Sequence, residues 1–251
     1  SYTGSIKDHA TELVASFVKA QEHIEGLVLA STGNMGASEA AGMTIIGKKA
    51  HIFLPQVTPH WKIAKIEKYG GKIHVVKGNY DQAVLEARDF VQENKQFIYG
   101  GETLLRLCGN TILAKIIVDL LGDFPDFIFI PVGDGAQYYG FAVGFSSLIE
   151  KNYLPSAKRF PKLVGIQVDG ANPIYRSFKD QSDRIRQVVP KTSADAIGIG
   201  NPLYGEKIIN WIASNPERGE IMSVSEKGIP EAQAEIEDTT GIRIEASSSV
   251  V

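Results

Sequence analysis

The sequence predicts an α/β protein built from mostly parallel sheets in two three-layer units. Three observations carry this. Short apolar runs with strand character recur along the chain, and nearly every one is followed by a stretch of helical character. Alternation at that spacing needs crossover helices, which join parallel neighbours. The length of 251 residues suffices for one large domain or two small ones.

The elements follow in order. Residues Thr11 to Glu22 read as a helix, Leu27 to Ala30 as a strand, Ser38 to Ile46 as a helix and Ala50 to Pro55 as a strand. A helix over Pro59 to Tyr69 is stopped by Gly70-Gly71, since glycine commonly closes a helix. Lys72 to Lys77 is a strand, and Asn79 is positioned to cap a helix over Tyr80 to Glu93. Gln96 to Tyr99 is a fourth strand, after which Gly100-Gly101 breaks the pattern. A helix over Asn110 to Leu121 precedes a buried strand at Asp126 to Val132 and a helix at Gln137 to Lys151. Lys162 to Val168 is a strand, and the polar, poorly periodic stretch Tyr175 to Lys191 reads as a mobile surface segment. Leu203 to Ser214 (helix), Gly219 to Val224 (strand), Ile229 to Ile236 (helix) and Ile242 to Glu245 (strand) complete the chain.

Composition narrows the class. Hydrophobic residues at 43% and charged residues at 22% are ordinary globular values. A net charge of −3 offers no basic footprint for nucleic acid. No apolar run reaches the roughly 18–20 residues of a membrane span, and no signal peptide is read. The one cysteine, Cys108, cannot build a disulfide framework; it reads as a small semi-buried thiol, and a reducing, cytoplasmic setting is the expectation.

Three turns have the residue types that chemistry needs. Lys7 follows Thr3-Gly4-Ser5-Ile6 and precedes Asp8. A lysine near a chain end is ordinarily a solvated charge, but Gly4 permits a tight turn that would aim this one inward. A partly desolvated amine can act as a nucleophile towards a carbonyl. Ser31-Thr32-Gly33-Asn34 joins a strand to a helix. It could be an ordinary capped turn, or a site where helix N-terminal amides meet a carboxylate. Gly133-Asp134-Gly135-Ala136-Gln137 also leaves a strand and opens a helix, where backbone amides could cradle a phosphate. Tyr138 occupies the place where a dinucleotide fingerprint needs its third glycine. Gly42 to Lys49 has P-loop spacing but lacks the closing Ser or Thr and ends a helix. No metal site is read.

In this order the segments resemble pyridoxal 5'-phosphate enzymes of fold type II, the tryptophan-synthase-β fold, and within them the threonine synthases. Further matching segments are Arg106-Leu107-Cys108-Gly109-Asn110-Thr111, Gly165 to Ile174, Ala196 to Pro202 and Glu245 to Ser248. The resemblance departs at Ile6, His9, Cys108, Asp134 and Gln137, where the family usually has Phe, Arg, Glu, Asn and Asn. It implies that Lys7 is catalytic and holds the cofactor as a Schiff base. It implies that Asn34 bonds the cofactor's phenolic oxygen and that Gly133, Asp134, Gly135, Ala136 and Gln137 hold its phosphate. Ser31, Thr32, Gly33 and Asn34 would take the substrate carboxylate, and Arg106 a substrate phosphate. Asp134 beside a phosphate would repel it unless turned away.

The resemblance also implies a small domain at residues 22–105, able to close over substrate. A large cofactor domain from residues 1–21 and 106–251 is expected to lack pieces at both ends, with the cofactor in the interdomain cleft. The hydroxyl that holds the pyridine nitrogen would lie on a later loop. The implied reaction converts O-phosphohomoserine and water to threonine and phosphate. β-Replacement in the manner of cysteate or cysteine synthases, α,β-elimination in the manner of threonine or serine dehydratases, and a non-catalytic binding paralogue remain alternatives. The expected partners are a small phosphorylated amino acid and a second copy of the chain, with no nucleic acid and no membrane.

Overall fold

The computed structural model describes residues 1–101, 103–154 and 159–251. They form two compact units, Ser1–Gly109 and Asn110–Val251.

The first unit holds a four-stranded sheet in the order β3-β2-β1-β4, with β1 Gly26–Ala30, β2 Lys49–Pro55, β3 Lys72–Val76 and β4 Phe97–Tyr99. Every pairing in it is parallel. All five residues of β1 are buried, as expected for a central strand covered on both faces. Alternate side chains choose the face. Leu27, Leu29, Ile52 and Leu54 pack with Val14, Val18, Ala40, Met43 and Ile66. These come from helices α1 (Lys7–Lys19), α2 (Asn34–Ile45) and α3 (His60–Lys68). Val28, Ala30 and Phe53 turn the other way, towards Ala83 and Ala87 of α4 (Tyr80–Glu93). Asn79 caps α4 as expected, its side chain accepting from the Gln82 amide at 3.0 Å. Strand order reverses at β1, which has β2 on one side and β4 on the other. Open parallel sheets bind ligands beyond the carboxyl ends of strands at such a point.

The second unit has a three-stranded parallel sheet in the order β5-β6-β7: Phe127–Pro131, Lys162–Val168 and Gly219–Val224. One face packs against Leu113, Phe141, Phe145 and Ile208, from α5 (Leu104–Leu121), α6 (Ala136–Glu150) and α8 (Gly205–Ser214). The other holds Val164, Ile166 and Val168 with Ile197, Val250 and Ile229, the last from α9 (Ile229–Thr240).

Several expectations need correction. α1 starts at Lys7, not Thr11, because Asp8 receives the backbone and hydroxyl of Thr3 and winds the chain early. α5 starts at Leu104, so Arg106 to Gly109 are helical. β5 is not buried throughout: Phe127 and Phe129 are exposed and stack on one another with ring centroids 6.4 Å apart. Part of the polar segment is a helix, α7 (Pro173–Lys179), started by its proline and anchored by buried Ile174 and Ser177. Ile242 to Glu245 is not a strand; the Ile244 carbonyl accepts from the Gln233 side chain at 2.9 Å. Cys108 is exposed instead of semi-buried.

Candidate functional site

The turn before Lys7 is held by its own side chains. Gly4 has φ +75°, a left-handed conformation that suits glycine. Fully buried Asp8 accepts from Thr3 N at 2.8 Å, Thr3 Oγ1 at 2.6 Å and Ser1 Oγ at 2.6 Å. Burial pushes the Asp8 carboxyl upward, but bonds from Ser1, Thr3 and Ser38 outweigh it and the net shift is downward. Ser5 Oγ accepts from the Lys7 amide at 3.3 Å. Lys7 thus becomes the first residue of α1, half-buried.

The second turn leaves the carboxyl end of β1 and opens α2. Ser31 Oγ accepts from the Gly36 amide at 2.9 Å, so one of the first-turn amides of α2 is already satisfied. A Cβ built on Gly33 would meet nothing within 4 Å. Asn34 is the first residue of α2, and its Oδ1 accepts from Lys65 Nζ at 2.7 Å. Ser31 is buried; Thr32, Gly33 and Asn34 are half-buried.

The third turn leaves β5 and opens α6. Gly135 is the N-cap of α6 with φ +92°, and as a glycine it supplies no capping side chain of its own. Its backbone lies tight against the second unit's core: an added Cβ would fall 2.6 Å from Ile208 Cδ1 and 3.1 Å from Tyr204 Cβ. Gly133 is equally close-packed, with Ile197 Cα 2.8 Å from an added Cβ. One oxygen of the Asp134 carboxylate is engaged with the neighbouring loop. Asp134 Oδ1 accepts from the Leu203 amide at 2.8 Å, and the Asp134 carbonyl accepts from the Tyr204 amide at 3.1 Å. Buried Gln167 braces the approach, donating to the Val132 carbonyl at 3.3 Å and accepting from the Tyr175 amide at 3.0 Å.

Arg106 sits in α5 with its side chain 3% exposed. Nη2 donates to fully buried Glu39 and to the Gly100 carbonyl at 3.3 Å. Burial raises the Glu39 carboxyl, with Arg106 pulling against it. A residue expected to face a substrate phosphate therefore stands in a buried ion pair.

With this geometry in place, comparison with known proteins gives a direct answer. Residues 1–251 match the family described as Pyridoxal-phosphate dependent enzyme. The chain belongs to that family. It is similar to the threonine synthase of Methanocaldococcus jannaschii, with 34% identity over 98% of this chain and 60% of that protein. It is similar to the threonine synthase of a Synechocystis species, with 30% identity over 98% of this chain and 62% of that protein. The chain thus spans about 60% of the length of these relatives. Among solved structures, maize serine racemase superposes with a TM-score of 0.81 at 17% identity, covering 99% of this chain and 71% of that one. The processed threonine deaminase isoform 2 of Solanum lycopersicum gives 0.78 at 22%, covering 98% and 68%. The fold is fold type II of the pyridoxal-phosphate enzymes, and the family's cofactor is pyridoxal 5'-phosphate.

The residues present fit that group. A phosphate asks for amide donors with no competing carboxylate. The Gly133–Gln137 turn opens a helix whose N-cap is a glycine, and one oxygen of its carboxylate accepts from Leu203. Sequence reading missed Thr11, Ser38 and Glu39, which connect α1, α2 and Arg106. Glu39 did carry a signal: it is a lone carboxylate inside Ala37-Ser38-Glu39-Ala40-Ala41, where an apolar helix should have none.

Proposed function

We propose that this chain is a pyridoxal-phosphate-dependent lyase with threonine-synthase-like chemistry, acting on a small amino acid. The observation that carries the reading is Lys7. It is placed at the first position of α1 by a glycine turn and a buried, hydrogen-bonded aspartate. Lys7 would bind the cofactor's aldehyde carbon through Nζ and move protons at Cα, Cβ and Cγ of the substrate. Asn34 would bond the cofactor's ring oxygen, and amides of Gly133 to Gln137 its phosphate. Ser31 to Asn34 would orient the substrate carboxylate. Bound there, pyridoxal phosphate supplies the electron sink.

The family reading suggests O-phosphohomoserine plus water as reactants, giving threonine and phosphate. Burial of Arg106 on Glu39 favours a second reading, elimination on an unphosphorylated hydroxy-amino acid. Phosphate release from O-phosphohomoserine, measured against 2-oxo-acid formation from threonine or serine, separates the two.

An absorption spectrum with added pyridoxal phosphate tests the core of the proposal. We expect a visible band in the wild type and none in Lys7→Ala, with borohydride fixing the added mass on Lys7. A wild type that stays colourless, or a band that persists in Lys7→Ala, would refute it.

A further inference from the structure

We propose that Thr11, Ser38, Glu39 and Arg106 form a positioning latch that sets α1 against α2, and so sets where Lys7 and Asn34 stand. The proposal rests on the cofactor reading above and concerns residues to which that reading gives no role as a latch.

The helical repeat provides the starting point. Lys7 and Asn34 are the first residues of their helices. Residues four positions on lie on the same helix face, one turn further along. Those residues are Thr11 and Ser38, and they meet: Ser38 Oγ donates to Thr11 Oγ1 at 2.8 Å. Thr11 Oγ1 then donates to Glu39 Oε1 at 3.1 Å, and Arg106 Nη2 closes the chain on the same oxygen. Thr11, Ser38 and Glu39 are fully buried and Arg106 nearly so. Each hydroxyl has a single hydrogen to give. Thr11 gives its hydrogen to Glu39, while Ser38, also in reach of the Asp8 carboxylate, has one hydrogen for two acceptors; sliding either helix by a residue would break these contacts.

Close packing makes the setting stiff. A Cβ on Gly42 of α2 would lie 2.5 Å from Thr11 Cγ2, so the two helices approach without room for adjustment. Asp8, next to Lys7, is also within hydrogen-bonding reach of Ser38.

The network is a poor device for stability. Glu39 Oε2, Arg106 Nε and Arg106 Nη1 are buried with no hydrogen-bond partner among the described residues. Buried ion pairs seldom outperform apolar side chains of the same volume, and unsatisfied polar atoms add to their cost. What such a network provides and an apolar pair does not is register, a role attested for single buried polar residues elsewhere. Here the register is that of the two helices whose first residues are the proposed cofactor contacts.

The test uses the full chain with Thr11→Val, which keeps the shape and removes the donor, and Thr11→Ser, which keeps the donor. Absorbance reports the pyridoxal phosphate concentration at half-maximal band and the pH midpoint of that band. Thermal melting of the apoprotein reports folding. We expect Thr11→Val to melt cooperatively yet need at least tenfold more pyridoxal phosphate, with a shifted pH midpoint. Thr11→Ser should return both values to within threefold of wild type. Glu39→Gln, which keeps shape and an acceptor oxygen while removing the charge, should shift the midpoint in the same direction. A wild-type band left unchanged in affinity and midpoint by Thr11→Val and Glu39→Gln overturns the latch and leaves the cofactor reading standing. A wild type with no band overturns that reading, and the latch with it.

Discussion

Two strand-to-helix turns of this protein are built alike and finished differently. Ser31–Asn34 leaves β1 and spends Ser31 Oγ on the third amide of α2. Gly133–Gln137 leaves β5, has a glycine at the N-cap, and turns Asp134 Oδ1 to Leu203. Helix starts whose N-cap supplies no side chain keep more donors for a ligand and suit a dianion, whereas a partly satisfied start suits a single negative charge. The comparison explains how Asp134 is compatible with a phosphate role: its side chain holds the neighbouring loop. The two turns also differ in the space around their glycines. An added methyl is clear at Gly33 and obstructed at Gly135.

The largest effect should come from Gly135→Val. Left-handed strain and overlap with Ile208 and Tyr204 together should cost about 4 kcal/mol in denaturant unfolding and remove the visible band. Retention of the band would break the assignment of this turn. Next comes a pH effect that belongs to the sheet carrying the Ser31–Asn34 turn. All five histidines lie in the first unit. His51 Nδ1 lies 2.9 Å from His74 Nε2, and His51 also packs on Phe90 and Phe97. Burial, then the charges of His74, Lys72 and Lys49, lower His51 from 6.5 to about 4. Only the unfolded chain binds that proton between these values, so this stability is complete above pH 6.5 and falls as pH drops towards 4. The loss should reach on the order of 3 kcal/mol, read as the difference between wild type and His51→Phe across pH 4–7. A difference that stays flat with pH would sink the claim.

Asp134→Ala should cost about 1.5 kcal/mol and weaken cofactor binding, while Asp134→Asn keeps the acceptor and most of both. Ser31→Ala, stripping the other turn of its side-chain acceptor, should cost about 1 kcal/mol. Gly33→Ala closes the series, with stability within about 0.5 kcal/mol of wild type and any effect confined to substrate KM. Equal behaviour of Gly33→Ala and Gly135→Val would erase the contrast between the turns.

Most of the fold was legible because its signals are local. Strand runs such as Ile52 to Leu54 and the cap at Asn79 need no tertiary knowledge. The errors arose where side-chain contacts decide. α1 begins early because Thr3 reaches forward to Asp8, and α7 forms because its short apolar face finds the second unit's interior. Phe129 lies in a run that reads as fully buried, and only the packing reveals that one face is covered. The Lys7, Ser31 and Gly133 segments were visible as motifs, since glycine and small polar residues mark turns. The Glu39–Arg106 pair was not, since the partners lie far apart in sequence.

The strand order of the first sheet has a consequence for how the chain is made. Gly26 in the middle of that sheet pairs with Phe97, the last strand of the unit to be synthesised. Until Phe97 leaves the ribosome, one side of β1 stays open with its apolar residues in place. Parallel pairings of this span form slowly and leave a nascent chain exposed to self-association. Yield in a cell should therefore fall when delivery of residues 97–99 is slowed.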